Sequence, residues 1–544
     1  MSNFFTPDVY TEEIPLLPQS VAEVSTAVPA FIGYTEKATK EGKSLANKAI
    51  RISTLLEYKE FFGGAKSVSF DVTVASDETI TNVKVESLQN KLYYAIELYF
   101  KNGGGDCYIV SIGSYSDTYN KQDFLNGLET LSKEDEPTLI MLGEATHLQE
   151  VDYYEVCQEA LKQCADLKDR FCILDVQKNE GDAIEKFRNG IGANNLKYGA
   201  AYTPYLQTSL NYVYSDSDVN ISSLSSSSES TLKFDYDNAI TIIYKGDAED
   251  NPKFKINKTG TSFGFSINDT KVLTISNVGE GKPVEEVLEA WNNFPDRGNF
   301  EILLITEGTT VKSTDLITLE KVTTSGETFK LDSKKGTALY SKIISELAKQ
   351  RIILPPSVAV SGAYATTDRE RGVWKAPANI SLNGVVAPVE KITSKEQERL
   401  NVDATSGKSI NAIRSFVGKG TMIWGARTLA GNDNEWRYVS VRRLFNMIEE
   451  STKKAAQFAV FESNDAITWL KVKAMIESFL YGVWQQGGLA GSVESQAYFV
   501  NIGLGKTMTQ QDILEGKMIV EIGLAAVRPA EFIILKFSHK LQEA

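Results

Sequence analysis

Between residues 107 and 202, short apolar runs alternate with longer segments of helical period, an order that few architectures accommodate. Strands are expected at 107–112, 138–142, 171–176 and 198–202, with helices at 121–131, 150–167 and 182–190. The connections suit crossover helices rather than hairpins, so the strands should lie parallel in a sheet covered on both faces. Upstream, 28–34 (VPAFIGY) reads as a buried strand, 53–62 as a short helix capped by Ser53, and 68–85 as a β-like excursion. Leu88, Leu92, Ala95, Ile96, Tyr99 and Phe100 fall on one helical face that ends at Gly103-Gly104-Gly105.

The texture then changes. Residues 215–230 (SDSDVNISSLSSSSES) are serine-rich and polar, and short alternating runs separated by Gly, Asn and Asp turns follow. We read 207–335 as an inserted, β-rich outer domain, its 13 basic against 20 acidic residues suiting exposure to water. A helix over 336–351 should return to the core of the first domain, which then comprises 28–206 plus 336–354. After Pro355-Pro356 the chain carries five of its six tryptophans, and this region is expected to be the best packed.

At 544 residues the chain should hold about three domains. It contains no apolar run long enough to span a bilayer and no secretory layout at its start, so folding in the cytoplasm is expected. Cys107, Cys157, Cys164 and Cys172 lack metal-site spacing and read as buried free thiols. The net charge of −14 is uneven: 351–544 carries 23 basic and 19 acidic residues, leaving −18 for 1–350. No basic stripe with aromatic platforms points to nucleic acid.

Chemistry-bearing groups are sparse. The only histidines are His147 and His539, neither beside an obvious nucleophile. Gly505-Lys506-Thr507 ends like a phosphate-binding loop, but position 500, where the first glycine belongs, is Val500. A nucleotide-binding enzyme using this GKT is the competing functional class, and an adhesive surface protein a third. The helix over 438–462 carries an apolar stripe of Val441, Leu444, Ile448, Ala455 and Phe458. Arg442, Arg443, Glu449, Glu450, Lys453 and Lys454 are assigned to the other, solvated side, a possible docking face.

Both termini look able to pair. At 516–540, Met518, Val520, Ile522 and Leu524 make one face of a strand; Arg528-Pro529 breaks it, and a second strand is expected over 531–537. At 8–14 (DVYTEEI) another alternating run lies between prolines, as suits an arm or an edge. The pattern does not choose between pairing within one chain and pairing with neighbours.

RGVWKAPAN (371–379), INAIRSFVGKGTMIWGARTL (410–429), WRYVSVRRLFNMIEESTKKAAQFAVFE (436–462) and IVEIGLAAVRPAEFIILKFS (519–538), together with TPDVYTEEIP and YFKNGGGDCYIV (99–110), closely resemble the sheath proteins of contractile tails. Asp8 departs from the glycine usual there, and 207–335 matches nothing familiar. The resemblance implies a multidomain α/β and α+β chain with an N-terminal arm (1–27), the α/β domain and its insertion, a C-terminal inner sheath domain (355–510) and a C-terminal strand arm (511–544). It implies strand exchange between subunits through Val9, Tyr10, Glu12, Ile14, Met518, Val520, Ile522, Phe532 and Ile534. Arg442, Arg443, Lys453 and Lys454 are the residues expected to contact an inner tube. The implied partners are further copies in stacked hexameric rings, the tube protein, and baseplate and tail-terminator or cap proteins. Neither nucleic acid, membrane insertion, metal nor cofactor is implied. Assembly in a bacterial cytoplasm into a phage tail or injection particle, followed by contraction, is the expected life of such a subunit.

Overall fold

The computed structural model describes residues 21–75, 77–177, 182–224, 232–321 and 325–535. The chain divides into two compact units, one of 1–66, 87–213 and 350–544, the other of 67–86 and 214–349.

The first unit is built on a nine-stranded sheet. Its strands are β1 (Pro29–Thr35), β2 (Ala49–Ile52), β3 (Cys107–Ser114), β4 (Leu139–Met141), β5 (Phe171–Asp175), β6 (Gly199–Thr203), β7 (Ile380–Ser381), β8 (Ile410–Phe416) and β9 (Gly420–Ile423), in spatial order β7-β9-β8-β6-β5-β4-β1-β3-β2. The pairs from β3 through β1, β4, β5 and β6 to β8 are parallel. The helices α1 (Leu55–Phe62), α2 (Leu92–Lys101), α3 (Lys121–Leu131), α4 (Glu150–Leu167) and α5 (Ala183–Gly190) supply most of the crossovers. Strands such as PAFIGYT and FCILD are buried along their whole length, as a sheet covered on both faces requires. All four cysteines are free and buried.

Three expectations are revised. The cap of α1 is Thr54, whose hydroxyl accepts from Glu57 N, rather than Ser53. The sheet does not stop at 206: β8 pairs with β6 through Ala201↔Ile410 and Thr203↔Ala412, so 380–423 shares the first domain's sheet. Residues 67–86 and the helix Ala338–Leu347, expected in the first domain, lie in the second unit.

That second unit is mostly β. Phe70–Val74 joins Val219–Leu224, Ser325–Lys330 and Ile80–Val85 in one four-stranded sheet, and two further four-stranded sheets enclose a core around Phe254, Ile275 and Trp291. Trp291 is 1% exposed, whereas the five tryptophans after residue 355 are only partly buried, so the expectation that those five mark the tightest packing does not hold.

Helix α6 (Ser357–Arg371) precedes β7. After β9 the chain forms α7 (Val439–Ala456) and α8 (Ala466–Gln485), then a hairpin of β10 (Tyr498–Ile502) and β11 (Val520–Leu524) with α9 (Gln510–Leu514) between them. Leu444, Met447 and Ile448 of α7 meet Val472, Met475, Ile476 and Leu480 of α8 and Val500 and Ile502 of β10 in one apolar cluster. Asp465 caps α8 by accepting from Ile467 N and Thr468 N, both at 3.0 Å. Among the described residues no helix is long and apolar enough to cross a membrane.

Candidate functional site: the roots of the terminal arms

A doubly wound parallel sheet ordinarily offers a ligand crevice where neighbouring strands leave in opposite directions, here beyond the ends of β1 and β4. In this chain a carboxylate fills it. Glu144, 4% exposed, accepts from Tyr34 N at 2.8 Å, Lys91 N at 2.7 Å and Leu92 N at 2.9 Å, taking amides at the start of α2 that an anion would otherwise use. Burial pushes its carboxyl up to about 7 against the downward pull of those donors. A side chain at Gly33 would collide with it. His147 stands beside Tyr119, and burial, with Lys91 nearby, holds its pKa down to about 4, so it is neutral at pH 7.

The GKT turn is closed on itself. Lys506, Thr507 and Met508 all donate their amides to Gly503 O, and Thr507 Oγ1 donates to Ile519 O at 2.7 Å. The next helix, α9, begins three residues later and has five residues. Those bonds leave no cradle of free amides for a phosphate there. Gly103 and Gly104 likewise bond back to the end of α2. Among the described residues no group of three His, Cys, Asp or Glu side chains is placed to hold a metal ion.

What the C-terminal region presents is a two-stranded sheet followed by an exposed apolar run. The apolar face of β11 packs inward, Met518, Val520, Ile522 and Leu524 resting on the cluster beneath. One edge of β11 pairs with β10, Val520 opposite Ile502 and Ile522 opposite Val500, and among the described residues no other strand joins this two-stranded sheet. Residues 531–535, expected as a second strand, have no assigned strand, and their apolar side chains are exposed: Phe532 69%, Ile533 79%, Ile534 79% and Leu535 71%. Val9, Tyr10, Glu12, Ile14, His539 and the end of the expected strand at 536–537 lie outside the described residues.

The charged face expected on α7 is corrected. Arg442 and Arg443 are 2% and 3% exposed. Arg442 lies over the Trp436 ring at 4.3 Å and donates to Asn446 Oδ1 at 2.7 Å and Glu449 Oε1 at 2.8 Å. Arg443 pairs with Asp368 and lies 4.7 Å from the centre of the Tyr364 ring. A guanidinium tolerates such burial because its stem and plane pack on aromatics while its donors find acceptors. Lys453 and Lys454 do face outward, each pairing with Glu450.

Reading the sequence missed Thr26, Asp368, Arg427 and Glu531, which fix the chain at 26 and at 531 by buried polar contacts. Only Arg427 and Glu531 carried a signal, as single charges within the runs WGARTL and PAEFIIL, whereas Asp368 is one of four consecutive charges in DRER and Thr26 stands in the plain run VSTAV. Burial pulls the Glu531 carboxyl upward, but the bonds from Arg427 and Asn401 outweigh it and leave it below the usual carboxylate range.

The Phage tail sheath C-terminal domain matches residues 431–540. The tail sheath protein of Vibrio phage KVP40 is 24% identical over 185 residues, 34% of this chain and 26% of that protein. The chain therefore aligns with about a quarter of that curated relative's length. Among solved structures, the sheath complex of PVC, an extracellular contractile injection system, in its contracted state is 27% identical over 99% of both chains with a TM-score of 0.56. The contracted helical sheath of the anti-feeding prophage is 26% identical over 99% of this chain and all of that one, with a TM-score of 0.57. With residues 431–540 matching the sheath C-terminal domain and the likeness to two contracted sheaths running over 99% of the chain, the chain is similar to the sheath proteins of contractile tails and injection systems.

Proposed function

We propose that this chain polymerises as stacked hexameric rings around an inner tube, is assembled in an extended state, and shortens to drive the tube through a target envelope. The work comes from re-pairing whole subunit surfaces, so the subunit requires neither nucleotide nor catalytic group. Terminal arms exchanged with neighbours would keep the links intact while the surfaces change, because main-chain pairing tolerates rotation of the bodies it joins.

The observation that carries this reading is the apolar run at 532–535, which follows the Glu531 anchor directly and finds no cover among the described residues. A contiguous exposed run of large apolar side chains is an interface awaiting its partner. The open edge of the β10–β11 hairpin offers the complementary site, and Val9, Tyr10, Glu12 and Ile14 would supply the N-terminal counterpart. We assign tube contact to Lys453 and Lys454 and withdraw Arg442 and Arg443 from it. Baseplate and terminator proteins would bound the cylinder, assembled in the bacterial cytoplasm.

Electron microscopy of the purified full chain, with and without a co-expressed tube protein, tests the proposal. Hollow cylinders are the expected result; a chain that stays monomeric at every concentration in both preparations refutes it.

A further inference from the structure

Both arms leave the body beside one helix end. At the N-terminal root, Arg443 donates through Nη1 to Asp368 Oδ1 at 3.0 Å, and through Nη2 to Asp368 Oδ2 and to Thr26 O, the latter at 2.8 Å. Thr26 Oγ1 donates to the same carboxylate at 2.6 Å. Two turns along α7, Ser451 Oγ accepts from Val24 N at 3.1 Å. At the C-terminal root, Glu531 receives Arg427 Nε at 3.0 and 3.1 Å, Arg427 Nη2 at 2.6 Å, Asn401 Nδ2 at 2.7 Å and Tyr438 OH at 3.3 Å. Tyr438 is the residue that begins α7, and its backbone bridges to Arg427.

Each root is thus held by a forked guanidinium–carboxylate pair, with side-chain exposures of 3% and 6% for Arg443 and Asp368 and 5% and 21% for Arg427 and Glu531. Apolar packing lets an extended segment slide or roll. At Glu531 two parallel N–H···O bonds fall on the segment itself and fix both its position and its direction, while at the other root the fork joins α6 to α7 and holds the segment through Thr26 O and Thr26 Oγ1. Immediately past Glu531 the side chains are exposed, so restraint ends at the clamp.

We infer that Arg443–Asp368 and Arg427–Glu531 are arm-root clamps: positioning residues that set where, and in which direction, the two arms leave the body. This rests on the sheath reading for its use, and on geometry alone for its existence. It also gives the two buried charge pairs a role that tube contact does not.

The test uses the full chain, diluted below assembly, with spin labels on Val417→Cys and either Ile533→Cys or Ala22→Cys, all three exposed positions; the native cysteines are buried and leave the labels selective. Glu531→Gln should at least double the width of the 417–533 distance distribution and leave 417–22 unchanged. Asp368→Asn should do the reverse. Because either variant leaves an arginine buried without its counter-charge, the joint replacement of Arg427→Met with Glu531→Leu is the control: it should recover melting temperature but not the narrow 417–533 distribution. Assembly of Glu531→Gln should need at least a tenfold higher concentration. Unchanged widths, or broadening at both positions in both single variants, overturn the clamp. Broadening without any change in assembly overturns its positioning role. Failure of the wild type to assemble counts against the sheath reading, while the distance measurements still decide the clamp.

Discussion

Replacing Phe532 and Ile534 by serine separates what the arm does for its own subunit from what it does for a neighbour. Both side chains stand in the run that follows Glu531, and they are 69% and 79% exposed. Fully burying a side chain of this size is worth about 1.5–3 kcal/mol, so covering those exposed fractions is worth about 1–2 kcal/mol each. The pair then contributes roughly 3 kcal/mol to each link, about a hundredfold in the association constant. In the isolated subunit they stand largely in solvent, and surface substitutions of this kind change stability by only about 0.5 kcal/mol. The measurements are the threshold concentration for cylinder formation, by sedimentation or light scattering, and the thermal midpoint of the unassembled chain. The expected result is a threshold raised by one to two orders of magnitude with the midpoint unmoved. A threshold within threefold of wild type, or a midpoint that falls with the substitution, would show that these side chains serve the subunit's own core and would sink the reasoning.

Charge substitutions on α7 should divide in the same way. Arg442→Glu places a second acid beside Glu449 in a buried site and should destabilise the fold by about 3–5 kcal/mol, read as a large loss of thermal midpoint; Lys453→Glu with Lys454→Glu should leave the midpoint nearly unchanged and instead yield tubes without sheath. Asp175, which accepts from Ser357 N at 2.7 Å and Ser357 Oγ at 2.6 Å, is pushed by burial from 3.8 up to about 7. A carboxyl raised in the folded state costs stability as pH climbs through that window, by on the order of 4 kcal/mol above pH 7, and the cost vanishes below pH 4. Asp175→Asn should therefore flatten the fall in urea midpoint between pH 4 and pH 7; an equally steep fall in the variant would remove Asp175 as its source.

Much of this molecule was legible as a string of residues. The alternation over 107–202 determined the parallel sheet and its crossover helices, Leu444 and Ile448 of the apolar stripe marked the side of α7 that packs on α8 although Phe458 of the same stripe lies beyond the helix and is exposed, and the alternating face of β11 determined what it buries. These are local patterns, and the backbone's own periods of 3.6 and 2 make them readable. Tertiary structure alone decided that β8 closes onto β6 across some two hundred residues, that 67–86 leaves one unit for the other, and that Arg442 and Arg443 face inward. Periodicity describes the side of an element, not what stands opposite it. A buried arginine is stable only when acceptors meet its donors; for Arg443 and Arg427 the carboxylate comes from a distant segment, Asp368 and Glu531, and that meeting exists only once the chain has folded.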